Sequence, residues 1–141
     1  MFDWKKPTVQ MLGRWQPWHD GHQELFKRSI KKTGQVIIQV RDVYGSSGGD
    51  GQEDNPFNWD DVCKNISEGL SKDNFIRGEH YEIMMVPNIV NITYGRGVGY
   101  VFEEESFEDS ISDISATKIR KKMRSKIRIS NLTQSLNPNL N

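Results

Sequence analysis

The 141-residue chain is poor in the features that would commit it to a specialised class. It has a single cysteine, Cys63, which excludes a disulfide within the chain and fits a reducing compartment. No apolar run approaches the roughly 20 residues that span a bilayer. Residues 1–7 are polar and lack the hydrophobic stretch of a signal peptide. A cytoplasmic domain with no membrane partner is therefore expected. Lys and Arg together number 19, as do Asp and Glu, so no excess of one charge draws the whole chain to nucleic acid or anionic lipid. Internal repeats are absent. So is the G-x-x-x-x-G-K-[ST] P-loop, which argues against a kinase of that type. Gly45-Ser46-Ser47-Gly48-Gly49 matches the hydrolase elbow G-x-S-x-G in letters, but that motif requires a helix directly after it. The residues that follow, Asp50-Gly51-Gln52-Glu53-Asp54, are not helical in pattern. His19, His22 and Cys63 lack a fourth ligand and the common zinc spacings, so no all-protein metal site is expected.

What is present is an alternation of strand and helix patterns. Thr8 to Leu12 reads as a strand. From about Gly21 to Lys32, Leu25, Phe26 and Ile30 recur on one helical face, and Gly34 supplies the stop. Val36-Ile37-Ile38-Gln39-Val40 is a β-branched, nearly continuous apolar run, the texture of a parallel strand covered on both faces. Strand, loop, helix and strand fit within about 33 residues, one βαβ unit. After a glycine-rich stretch, Gly45 to Gly51, read as a mobile loop, Asn55-Pro56-Phe57-Asn58 forms a turn and helix cap. Trp59, Val62, Ile66 and Leu70 then follow at helical spacing. Residues 79–86 contain a third strand, residues 91–94 a short fourth and residues 100–103 a fifth. An acidic patch over 103–113 precedes a basic helix over about 118–127. The reading is one α/β domain over residues 1–130, a Rossmann-like three-layer fold with a mainly parallel sheet, followed by a polar tail, 131–141, read as disordered. Trp4, Trp18 and Trp59 are read as packing residues, and His80 as a surface or core-edge residue.

The chemistry concentrates between the first strand and first helix, in Gly13-Arg14-Trp15-Gln16-Pro17-Trp18-His19-Asp20-Gly21-His22. Ligands of parallel sheets bind beyond the carboxyl ends of the strands. A helix N-terminus there offers free N–H groups and a partial positive charge to a phosphate. Gly21 lets backbone approach closely. Two imidazoles three residues apart can both donate to one phosphoryl group. Arg41 and Asp42, just past the second strand, sit near the expected cleft and are read with Asn55 and Trp18 as acceptor contacts.

This segment resembles the H-x-G-H signature of the nucleotidylyltransferase superfamily, the cytidylyltransferase-like proteins. Its nearest variant is the G-R-F-Q-P-x-H-x-G-H form of archaeal-type nicotinamide-mononucleotide adenylyltransferases. Ile114-Ser115-Ala116-Thr117-Lys118-Ile119-Arg120 resembles the second motif of that family, I-S-A-T-x-I-R, about 95 residues downstream. Asn55-Pro56-Phe57 and Val86-Pro87-Asn88-Ile89 look like further landmarks. The resemblance implies an enzyme that moves a nucleoside monophosphate from a nucleoside triphosphate, ATP or CTP, to a phosphorylated small molecule, releasing pyrophosphate. It assigns the α-phosphoryl group to His19 and His22, and the β- and γ-phosphates to Arg14 and Arg120. Gly13, Trp15, Gln16, Gly21, Ser115, Thr117 and Lys118 become further nucleotide contacts, and Mg2+ arrives with the triphosphate. Dimers or larger rings are common in the family, so a homo-oligomer is an expectation.

Two departures bear on the acceptor. Trp15 replaces a phenylalanine, and the stretch between Tyr94 and Ile114 is too short for a helix expected before the last motif. A competing reading is a non-catalytic nucleotide- or nucleic-acid-binding module, motivated by the basic run from Lys118 to Arg128. No aromatic residues interleave that run, which argues against a nucleic-acid stripe.

Overall fold

The computed structural model describes residues 1–45, 47–49, 53–97 and 99–105. Three strands and two helices alternate: β1 (Val9–Gly13), α1 (Asp20–Thr33), β2 (Val36–Arg41), α2 (Trp59–Ser71) and β3 (Tyr81–Val86). The strands form one parallel sheet in the order β1-β2-β3, with Val9 opposite Val36 and Val36 opposite Tyr81. This is the expected Rossmann-like α/β arrangement. Two successive right-handed crossovers that step in one direction place both helices on the same face of the sheet.

Burial follows that geometry. Val36, Ile38 and Val40 of the central strand are wholly buried, as are Phe26 of α1 and Val62, Ile66 and Leu70 of α2. These alternate strand positions and one-turn helix positions meet in a single core. Tyr81 and Ile83 of β3 and Met11 of β1 complete it. On the other sheet face, Leu12, Ile37, Gln39, Glu82 and Met84 are only partly covered. The expected third layer, the basic helix expected over about 118–127 and the polar tail are expectations that lie outside the described residues.

Local signals set the helix ends. His19, in extended backbone, caps α1 through its own ring, and Gly34 closes the helix at φ 96° with its N–H on the Ile30 carbonyl. Asn58 caps α2 by accepting from the Asp61 N–H.

Three expectations are corrected. Residues 91–94 and 100–103 form no strand; Ile92, Tyr94, Tyr100 and Phe102 are exposed. A strand needs a neighbour's unpaired edge, and after Pro87 the chain leaves the sheet instead. It ends its described course against α1, where Lys32 pairs with Glu103 and Glu105, and Arg28 with Glu105. Trp4 is not a packing residue: it is 71% exposed, touching Phe2 edge-on. The described part of the glycine-rich loop is built rather than loose. Asp42 Oδ1 accepts from the N–H groups of Tyr44, Gly45 and Ser47, and Ser47 is fully buried. Trp59 and Trp18 do pack, and His80 sits at the core edge with Nδ1 accepting from the Ile76 N–H.

Candidate active site

β1 delivers the chain to the carboxyl edge of the sheet at Gly13, and α1 begins seven residues later at Asp20. The intervening turn is pinned residue by residue. Trp15 adopts φ 56°, a left-handed conformation costly for a bulky residue. It is held there by burial of its ring, 1% exposed, and by its indole Nε1–H donating to the Gln39 carbonyl at 3.0 Å. The Gln16-Pro17 peptide is cis. The Gln16 amide pairs with a backbone segment as a strand would, donating to the Phe57 carbonyl and accepting from the Phe57 N–H, each at 2.8 Å. It also donates to Ser47 Oγ at 3.3 Å. Arg14 Nη1 donates to Asn55 Oδ1 at 3.2 Å. The turn before α1 and the segment before α2 are thus clamped together by two side chains of the same motif.

The two histidines meet. Their rings stack with centroids 3.6 Å apart and planes 23° from parallel. His22 is buried, with Trp15 edge-on at 4.8 Å and Trp18 at 5.5 Å. His19 Nδ1 accepts from the Gly21 N–H at 3.0 Å. A neutral His19 ring therefore carries its proton on Nε2, which makes Nε2 a donor of the kind a phosphoryl oxygen accepts. Two imidazoles at the positive end of a 14-residue helix, next to a buried arginine, form an arrangement suited to an anion in which negative charge develops. An open cleft of about 390 Å³ borders this point, lined by Trp18, His19, Gln23, Phe57, Glu68 and Lys72.

The residues singled out in the sequence divide by role. Gly13, Arg14, His19, Gly21 and His22 gather at the turn. Trp15 and Gln16, expected as nucleotide contacts, give their side chains to the core and to the loop clamp. Asn55 is spent on Arg14, and Asp42 on its own loop. Trp18 lines the cleft while its Nε1–H donates to Gln23 Oε1 at 2.7 Å. Arg41 is buried at the carboxyl end of β2, with Nη2 on Asn88 Oδ1 at 2.9 Å, and burial lowers its pKa from the ordinary arginine value. Ser115, Thr117, Lys118 and Arg120 lie outside the described residues. Among the described residues, no three His, Cys, Asp or Glu side chains converge as a metal-binding group, and no helix is long and apolar enough to cross a membrane.

Two contributors were not singled out beforehand. Ser47 is the buried partner of Gln16. Gly69 lets α2 approach the Trp18 ring, since a Cβ there would lie 2.8 Å from Trp18 Cδ1. A glycine inside an otherwise regular helical pattern was the available signal for the second; the first stood only in the rejected G-x-S-x-G match, which carries no sign of a bond to Gln16.

No protein-family model matches the chain. Among curated proteins it is similar to the nicotinamide-nucleotide adenylyltransferase of Methanococcus aeolicus, at 26% identity over 133 residues, covering 80% of this chain and 75% of that relative.

Proposed function

We propose that this chain, a distant homologue of an archaeal H-x-G-H nucleotidylyltransferase, is itself a nucleotidylyltransferase that moves AMP from ATP to a phosphorylated small molecule. Nicotinamide mononucleotide is the first acceptor to try. The observation that carries the reading is the stacked His19–His22 pair at the N-terminus of α1, directly beyond β1.

In this reading an oxygen of the acceptor phosphate attacks the α-phosphorus of ATP in line. The new O–P bond forms as the bond to the bridging α,β-oxygen breaks, and pyrophosphate leaves with the electron pair. The protein supplies no covalent nucleophile. It supplies position and charge stabilisation. His19 Nε2–H and the His22 ring take the α-phosphoryl oxygens, and the N-terminus of α1 adds its partial positive charge. Arg14 takes the β- and γ-phosphates, where its planar fork suits the geometry. Ser115, Thr117, Lys118 and Arg120 complete that site by resemblance alone. By the same resemblance magnesium would arrive bound to the triphosphate.

The test is pyrophosphate release with magnesium, crossing ATP, CTP, GTP and UTP with nicotinamide mononucleotide, glycerol 3-phosphate, phosphocholine and phosphopantetheine. Release that depends on ATP and one acceptor is expected. Release with CTP alone moves the enzyme to the cytidylyl branch. No release with any pair, joined to salt-dependent RNA or DNA binding, rejects the enzyme in favour of a binding module.

A further inference from the structure

Arg41 is the least expected charge in the fold. It is the last residue of the central strand, only 5% exposed. Its one side-chain hydrogen bond among the described residues goes to a neutral amide, Asn88 Oδ1, at 2.9 Å. Among the described residues its buried Nε has no acceptor, and no carboxylate lies within ion-pairing distance. Taking a guanidinium out of water without a counter-ion is strongly unfavourable. Hydrophobic packing does not need it there. The register shows where the charge is directed. Gly13 pairs with Val40, so Arg14 and Arg41 leave the sheet level with each other on neighbouring chains, which run about 4.8 Å apart. Arg14 is buried as well, at 8%. Two desolvated arginines thus stand at adjacent rim positions, at the edge of the sheet where such folds take their ligands.

We propose that Arg41 is the anion anchor of the acceptor: the phosphate of the acceptor docks against its guanidinium, beside the triphosphate held at Arg14, with Asn88 fixing the orientation of the side chain. This rests on the transferase reading for the identity of the anion, but not for the existence of the site. It also separates Arg41 from Asp42, whose Oδ1 accepts three N–H groups of its own loop. The desolvation that lowers the Arg41 pKa strengthens its pull on an entering anion, because the interaction is made away from bulk water.

Titration calorimetry and thermal melting of the full chain test this with four probes: ATP, nicotinamide mononucleotide, its dephosphorylated nucleoside, and orthophosphate. Two variants are needed. Arg41→Met keeps the apolar stem and removes the charge. Asn88→Asp keeps the guanidinium and supplies it with an internal counter-ion. Both are expected to weaken binding of the mononucleotide at least tenfold, to leave ATP affinity within about twofold, and to melt no lower than the parent. Equal affinity of the parent for mononucleotide and nucleoside overturns the proposal. So does joint loss of ATP and mononucleotide binding in either variant, or an Asn88→Asp protein that binds the mononucleotide as the parent does. If the parent ignores the mononucleotide, the acceptor named above is wrong and orthophosphate decides. Phosphate that raises the melting point of the parent but of neither variant supports the anchor. Phosphate that acts alike on all three refutes it.

Discussion

His19 has two duties that substitution can separate. Its ring is the N-cap of α1, through Nδ1 and the Gly21 N–H, and in the proposed reaction its Nε2–H faces the α-phosphoryl group. His19→Ala removes both. Stability should fall by about 1 kcal/mol, the usual cost of a lost cap, and pyrophosphate release by roughly 10²–10³, the scale of one lost donor to a developing charge. His19→Asn restores a good cap, so its melting point should return to the parent value while its turnover stays low. Recovery of turnover in the asparagine protein would assign His19 a purely structural role. At this scale the sequence was informative about proximity, because an N-cap side chain and the one three residues on lie within reach of each other at a helix start. It was uninformative about the cap, which depends on the extended backbone His19 adopts, φ −144° and ψ −178°.

Between elements, the contact that positions the site is α1 against α2 at Trp18. Gln23 accepts from the Trp18 indole and donates to the Gly69 carbonyl at 2.8 Å. Gly69→Ala places a methyl group 2.8 Å from the Trp18 ring, below any normal carbon contact, so the ring or the helix must move. Overpacking of this kind costs about 1–3 kcal/mol. Because Trp18 abuts His22, turnover should fall as well, out of proportion to the change in melting point. An alanine protein with parental stability and turnover would show that Trp18 yields freely. The helices and the three strands were legible from periodicity, because burial on one face writes itself along each segment. Residues 91–94 were not, since alternation is necessary for a strand but the hydrogen-bonding partner comes from elsewhere in the chain.

Over the whole molecule, the end of the described chain is fastened to α1 by charge. Lys32 pairs with Glu105 at 2.6 Å and with Glu103 at 3.1 Å, and Arg28 reaches Glu105 at 3.6 Å. The bond from Lys32 holds the Glu105 carboxyl below its ordinary range. Its contribution is therefore full above the ordinary glutamate value of about 4.3 and is lost as pH falls through the lowered folded value. The same carboxylates raise Lys32. That part is full below the ordinary lysine value of about 10.4 and is lost as pH rises through the raised one. These groups are half-buried to exposed, within reach of solvent, so salt also weakens the tether. Proteolysis at the exposed Tyr100 and Phe102 reads it. Lys32→Ala should be cut several-fold faster than the parent at about pH 7 in low salt, and the difference should vanish in about 1 M salt and shrink as pH falls through the lowered Glu105 value. Equal rates at about pH 7 would show that the pairs do not fasten the chain.

The sequence by itself determined which segments become strands and helices over residues 8–86, where the turn between β1 and α1 falls, and that two histidines share it. Those features depend on neighbours a few residues away: apolar spacing, cap residues and a glycine stop. Only the tertiary structure decided that Gln16 clamps two loops, that Asp42 serves its own loop, that residues 91–94 join no sheet, and that Arg41 is buried without a carboxylate beside it among the described residues. Apart from Asp42, whose partners lie within five residues of it, each of these depends on what lies across the sheet or on an adjoining loop, thirty or more residues away. Register and burial fix that neighbour, and no local pattern encodes it.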